Sequence, residues 1–115
     1  MLRGELWEVD LASPPGGSGR EQSGRRPAVV LQGGYDPNNP MCSVAPITSN
    51  LSAARFPHTI TVSPTQANGL SIDSVVMVFQ LRALDTRRFV RRLGHLSVSE
   101  IATIDGILPA LLGLG

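Results

Sequence analysis

The segment Gly19-Arg20-Glu21-Gln22-Ser23-Gly24-Arg25-Arg26-Pro27 gathers more groups able to act on a phosphate than any other stretch of the chain. It places a carboxylate, an amide and three guanidiniums between glycines. Arg26 precedes a proline, which biases its backbone toward extended geometry and so toward the first residue of a strand. A guanidinium held there offers bidentate hydrogen bonds to a phosphate and keeps its charge at physiological pH. The same residue types also describe a solvated arginine-rich loop, because surface arginines are common.

Two further groups can do chemistry. Pro46-Ile47-Thr48-Ser49-Asn50 reads as a strand ending in hydroxyls and an amide, either a functional rim or an ordinary turn rich in favoured turn formers. Arg82, Arg87, Arg88, Arg91 and Arg92 put five arginines within eleven residues, partly offset by Asp85. That patch suits RNA phosphates, or equally a charged sheet edge that resists edge-to-edge association. Gln80 lies on the same strand face as Arg82. His58 and His95 are far apart in the chain, and nothing in the sequence brings them together as an acid/base pair. Cys42 and Met77 sit in apolar runs and read as core.

Composition narrows the chemistry. The 115 residues suffice for one domain, residues 1–115, and the 42% hydrophobic and 17% charged content fits a globular chain. All ten basic residues are arginine, so Schiff-base, catalytic-amine and P-loop-lysine mechanisms are excluded. One cysteine excludes an intrachain disulfide and a CxxC site, and no metal-ligand set or cofactor motif is present. The net charge of +1 gives no bulk attraction to nucleic acid, but the arginines concentrate at 20–26 and 82–92, so a local groove can be basic. The N-terminus lacks a signal-peptide h-region and the longest apolar stretch is too short to span a bilayer. A cytoplasmic protein without membrane contact is expected.

These groups must be positioned by short elements. Residues 5–11 alternate with period two, with Leu6 out of pattern, and predict a first strand. Residues 13–24 and 33–40 are rich in turn formers and read as loops. Residues 27–32, 42–47 and 58–62 read as strands, and 74–84 as one long strand buried on both faces at its start. Ser97-Val98-Ser99-Glu100 is a capping box, and Ile101, Ile104, Leu108 and Leu111 make one helix face. Pro109 should kink or restart that helix. Five strands followed by a helix suggest a small antiparallel barrel capped by the helix.

In order along the chain, Arg3-Gly4-Glu5-Leu6-Trp7, Glu21-Gln22-Ser23-Gly24-Arg25-Arg26-Pro27-Ala28-Val29-Val30, Pro46-Ile47-Thr48-Ser49-Asn50, Asp73-Ser74-Val75-Val76 and Gln80-Leu81-Arg82-Ala83-Leu84-Asp85 closely resemble the MazF/PemK (Kid) toxin family. The resemblance implies a mainly β fold, an SH3-like antiparallel barrel with a C-terminal helix, assembled as a homodimer. It implies sequence-selective, metal-independent and cofactor-free cleavage of single-stranded RNA, restrained by a cognate antitoxin. A toxin of related fold that poisons a topoisomerase, CcdB-like, is the alternative, and the Glu-Gln…Arg-Pro and Pro-Ile-Thr-Ser elements argue against it. The family's catalytic arginine falls on Arg26 and its threonine on Thr48. Glu21 matches an acidic position and is a better proton acceptor than a guanidinium, whose pKa above about 12 makes it a poor base. Arg20, Gln22, Arg25, Ser49, Asn50, Gln80 and Arg82 are the RNA-binding candidates. Phe79 stands where one branch of the family has a catalytic acid, so the chemistry implied is that of the arginine/threonine branch.

Overall fold

Strand β1 (Glu5–Leu11) serves two cores instead of one core and solvent. Leu6 joins Val29, Ala45, Ile47 and Ile104 on one side, whereas Val9 and Leu11 join Ala28, Val30, Cys42 and Val44 on the other. Successive strand residues point to opposite faces, so Leu6 keeps the alternation and only its partner core differs. The neighbouring strands β2 (Gly24–Val30) and β3 (Met41–Thr48) divide their apolar residues in the same way. The computed structural model describes residues 1–11, 24–33 and 36–114. The expected 13–24 loop therefore falls almost wholly outside the described residues.

The remaining elements are β4 (Thr59–Val62), β5 (Ser74–Met77), β6 (Arg82–Asp85), β7 (Phe89–His95) and helix α1 (Val98–Leu111). The sheet has seven strands in the order β4-β5-β3-β2-β1-β7, with β6 also pairing β3, and every pairing is antiparallel. A mainly β antiparallel architecture with one C-terminal helix is therefore as expected. Among the described residues β4 and β7 do not pair with each other, so strand pairing does not close the sheet.

Several boundaries differ from those expected. Strand β2 begins at Gly24 instead of Pro27, because Gly24, Arg25 and Arg26 pair with Leu11, Asp10 and Val9. The 74–84 run is not one strand. Both β5 and β6 pair with β3, but the register jumps by three residues between Ile47↔Val76 and Val44↔Arg82, the length of the 3-10 turn Val78–Gln80. Residues 89–95, read only as part of a basic patch, form a strand because β1 offers them an edge, with Glu8 opposite Arg91 and Trp7 opposite Arg92. Helix α1 neither ends nor restarts at Pro109. That proline lies in the last turn, where Leu112 N–H donates to the Leu108 carbonyl at 3.0 Å and Gly113, at φ 72°, ends the helix.

Helix α1 opens with the expected capping box: Ser97 Oγ accepts from Glu100 N–H at 3.1 Å, and Glu100 Oε1 accepts from Ser97 N–H at 2.9 Å. Ile104 is buried, and Ile101, Leu108 and Leu111 pack against the core of Leu6 and Ile47. Arg3 ties this helix to the sheet. Its Nε donates to the Leu31 carbonyl at 3.0 Å while its guanidinium pairs with Asp105. No helix among the described residues is long and apolar enough to cross a membrane.

Two glycines, Gly94 of β7 and Gly69 opposite Leu93, allow β7 to meet the 63–72 connection backbone to backbone. A Cβ on Gly94 would lie 2.0 Å from the Ala67 carbonyl oxygen, and His95 N–H donates to that same oxygen at 2.9 Å. Gly94→Ala is expected to lower stability by about 1–3 kcal/mol, the usual range for an overpacked interior. Gly106→Ala, in α1 with open space around it, is expected to gain up to about 1 kcal/mol of helix propensity. Urea unfolding of the two variants should therefore shift in opposite directions.

Acid should destabilise the fold through identifiable carboxylates. Hydrogen bonds from the Arg87 side chain and amide hold Asp85 at about 2, below the ordinary carboxylate range. Burial pushes Glu5 upward, but bonds from Leu2 N–H, Trp7 Nε1 and Arg92 outweigh it and leave Glu5 lowered. A depressed carboxylate contributes stability that is complete above its unfolded pKa and disappears as pH falls through the folded one. The melting temperature should fall from about pH 4, the unfolded aspartate value, toward pH 2. Asp85→Asn, which keeps the capping oxygen without the charge, should show a shallower fall across that window.

Candidate active site

The chain forms a cleft where β2 and β3 part company. Their ladder runs through Val30↔Val44, Val29↔Ala45 and Ala28↔Pro46 and then stops. Extending that register would set Pro27 against Ile47 and Arg26 against Thr48. Pro27, the next residue of β2, lacks the N–H that would extend the ladder to Ile47. Beyond this point β2 follows β1, while Ile47 and Thr48 pair only with β5. The gap opens a cleft of about 500 Å³ that both Arg26 and Thr48 line.

Pro27, Ile47 and Leu93 also line it, with Glu8 and Arg91 beside them. Arg91 Nε donates to Glu8 Oε1 at 3.0 Å, so this arginine is committed to the wall. Arg25 and Arg26 stand exposed on the β1–β2 extension. Among the described residues neither has a side-chain hydrogen bond or ion pair.

Hydroxyl geometry on the β3 side is equally suggestive. Thr48 Oγ1 accepts from Asn50 N–H at 3.1 Å, which leaves the hydroxyl proton available to donate. Asn50 Oδ1 accepts from Ser52 N–H and Ser52 Oγ at 3.2 and 2.8 Å and caps the 3-10 turn Leu51–Arg55. Ser49 is exposed at the same rim. The arrangement offers positive charge from one side of the cleft and a hydroxyl donor from the other, which suits a tetrahedral or trigonal-bipyramidal phosphate.

The opposite wall, Gly69, Leu70, Ser71 and Ile72, hangs on one buried amide. Asn68 Oδ1 accepts from Thr65 N–H and Leu70 N–H, each at 3.0 Å, and its Nδ2 donates to the Ser63 carbonyl at 2.9 Å. Reading the sequence for chemistry missed Asn68 and Glu8. A lone asparagine in a turn-rich stretch carries no distinguishing signal, and Glu8 reads as an ordinary alternating strand residue.

The structure thus brings Arg25, Arg26, Thr48, Ser49 and Asn50 to one cleft. Arg20, Glu21 and Gln22 lie outside the described residues. Gln80, in the 3-10 turn Val78–Gln80, and Arg82, in β6, are on the other edge of β3 and do not line the cleft. His58 and His95 do not line it either. Phe79 packs against Phe56, ring centroids 5.4 Å apart, and against the cluster of Ala53, Val75 and Met77. Among the described residues no group of three or more His, Cys, Asp or Glu side chains is placed to hold a metal ion.

The fold and the cleft have known counterparts. The family model for PemK-like, MazF-like toxins of type II toxin–antitoxin systems matches residues 2–112. Endoribonuclease MazF9 of Mycobacterium tuberculosis is 35% identical over 122 residues, spanning 99% of this chain and 98% of that protein. The crystal structure of MazF from Deinococcus radiodurans superposes with a TM-score of 0.79 at 31% identity, covering 98% of this chain and 96% of that one. A MazE–MazF crystal structure from the same organism gives a TM-score of 0.75 at 31% identity, covering 100% and 97%. The chain belongs to the PemK-like, MazF-like family of type II toxins. These findings favour the endoribonuclease reading over the CcdB-like alternative.

Removing the Asn68 amide should loosen the far wall selectively. Asn68→Ala is expected to cost about 1–3 kcal/mol, because buried backbone groups lose their partners. Amide hydrogen exchange measured by mass spectrometry should accelerate in residues 63–72 more than in β1 or β2.

Proposed function

We propose that this endoribonuclease of the MazF/PemK class cuts single-stranded RNA, including mRNA, at selected sequences by in-line attack of a ribose 2′-hydroxyl, without a metal ion or other cofactor. The observation that carries this reading is the juxtaposition of uncommitted Arg26 with the donor-ready hydroxyl of Thr48 where β2 and β3 separate. As the 2′-oxygen bonds to phosphorus, negative charge builds on the non-bridging oxygens. Arg26 supplies positive charge to them and Thr48 Oγ1 donates a hydrogen bond to one. The P–O5′ bond then breaks, leaving a 2′,3′-cyclic phosphate and a 5′-hydroxyl.

Proton bookkeeping requires a base for the 2′-hydroxyl and an acid for the departing 5′-oxygen. Glu21 takes the first proton in this reading, and solvent can supply the second. A carboxylate suits the task better than a guanidinium at neutral pH. Arg25, Ser49 and Asn50 contact the RNA along the cleft, with Arg20 and Gln22 contributing from the preceding segment. Gln80 and Arg82 contact RNA beyond the cleft.

The protein acts as a cytoplasmic homodimer of one domain per chain, restrained by a cognate antitoxin. A disordered acidic antitoxin tail that folds over the arginines would suit this surface. The MazE–MazF structure among the relatives supports such a partner.

Purified, antitoxin-free protein incubated with long single-stranded RNA in EDTA should yield cuts at a recurring sequence when fragment ends are mapped. Arg26→Ala should lower the single-turnover rate about 100- to 1000-fold, the usual cost of removing a donor from a developing oxyanion. Thr48→Val should lower it by roughly tenfold, in line with one lost hydrogen bond. RNA left intact by the wild type would overturn the activity, and undiminished cutting by Arg26→Ala would overturn the site.

A further inference from the structure

The cleft is not the only basic depression at this end of the sheet. A second one, of about 460 Å³, lies between the β1–β2 extension and the chain around 85–90. Its side chains are Asp10, Arg25, Asp85, Arg87, Arg88 and Val90. Asp85 and Arg87 neutralise each other through a two-point pair, Nε–Oδ1 at 3.1 Å and Nη2–Oδ2 at 2.9 Å. That leaves Arg25 and Arg88 against the single carboxylate of Asp10. Arg88 is exposed, and among the described residues its side chain has no hydrogen-bond or ion-pair partner.

Arg25 lines both depressions. It stands opposite Asp10 in the β1–β2 ladder, two residues from the Glu8↔Pro27 pair that borders the first cleft. Two strand residues span about 7 Å, comparable to one nucleotide of an extended strand. Resting on the RNA-cleaving reading above, we infer that the second depression holds the RNA backbone next to the cut, with Arg25 and Arg88 clasping a phosphate adjoining the scissile one. Asp10 supplies an acceptor to which a ribose 2′-hydroxyl can donate. Continuity through Arg25 favours one polyanion crossing both depressions over an independent acidic peptide seated in the second.

Binding should be measured on single-stranded RNA carrying the mapped cut sequence, with 2′-deoxyribose at the attacking position to prevent cleavage. One oligonucleotide spans only the cut; the other extends several nucleotides to either side. The extended RNA should bind wild type more tightly than the short one. Arg88→Ala should shrink that advantage about three- to fivefold, as loss of an exposed charge contact would. It should also reduce the slope of log affinity against log salt by about 0.7 for the extended RNA, the effect of one phosphate contact on a single strand. Arg92→Ala removes the same charge outside both depressions and should keep the wild-type advantage.

An Arg88→Ala variant that retains the full advantage and slope would overturn the proposal. Equal losses in Arg92→Ala and Arg88→Ala would do the same, since bulk charge would then suffice. Weakened binding of a polyglutamate peptide by Arg88→Ala, with the RNA advantage intact, would reassign the depression to an acidic protein segment. Wild type that neither binds nor cuts the RNA would instead bring down the endoribonuclease reading, and this proposal with it.

Discussion

The three central strands bury apolar side chains on both faces, and that constraint decides where chemistry can sit. Along Ala28–Val29–Val30 and Val44–Ala45–Ile47 there is no face on which a charged group could stay solvated, whereas β1 keeps Glu8 and Asp10 partly exposed between its buried residues. In β2 and β3, polar groups are therefore displaced to the strand ends. At one such end Pro27 stops the β2–β3 ladder, and the strands diverge there without leaving an orphaned N–H on the proline. The cleft follows from a packing requirement and a hydrogen-bonding requirement acting at the same place.

The same constraint sorts the arginines. Arg3, Arg87, Arg91 and Arg92 are each tied to a carboxylate, Asp105, Asp85, Glu8 and Glu5 respectively. Two of those carboxylates, Glu5 and Glu8, belong to β1 and meet Arg92 and Arg91 of β7 across the ladder. Among the described residues Arg25 and Arg26 have no carboxylate partner, and they extend β2 past the end of β3. A chain with net charge +1 thus carries, at one end of its sheet, a positive charge that no described carboxylate pairs. Surface ion pairs contribute little stability individually; here their larger effect is to decide which guanidiniums remain available.

Much of this was legible in the residues. The helix announced itself through Ser97 and Glu100 and the spacing of Ile101, Ile104, Leu108 and Leu111. Arg26 before Pro27 and Thr48 at the end of an apolar run identified the two sides of the cleft. What could not be read was pairing. Residues 89–95 look like a charged stretch because a strand opposite glutamates can be built from arginines. Residues 74–84 look continuous because the 3-10 turn Val78–Gln80 is as apolar as the strands it separates. Asn68 is invisible for the opposite reason: its importance lies in three backbone groups that only the folded chain brings to it.

The two sides of the cleft also differ in how firmly they hold their side chains. Thr48 belongs to β3, flanked by β5 and anchored beside buried Ile47, Val75 and Val76. Arg26 belongs to a segment that pairs with β1 alone. A hydroxyl hydrogen bond weakens steeply once distance or angle departs from its narrow optimum. Coulombic attraction falls only as the inverse of distance, so a guanidinium can act from a less restrained position. Each pairs with one neighbouring strand, Thr48 with β5 and Arg26 with β1; they differ in that Thr48 is half-buried and Arg26 exposed, so the group that needs exact placement is the better held. On the proposed reading, an entering RNA strand displaces the exposed arginine more readily than the half-buried hydroxyl.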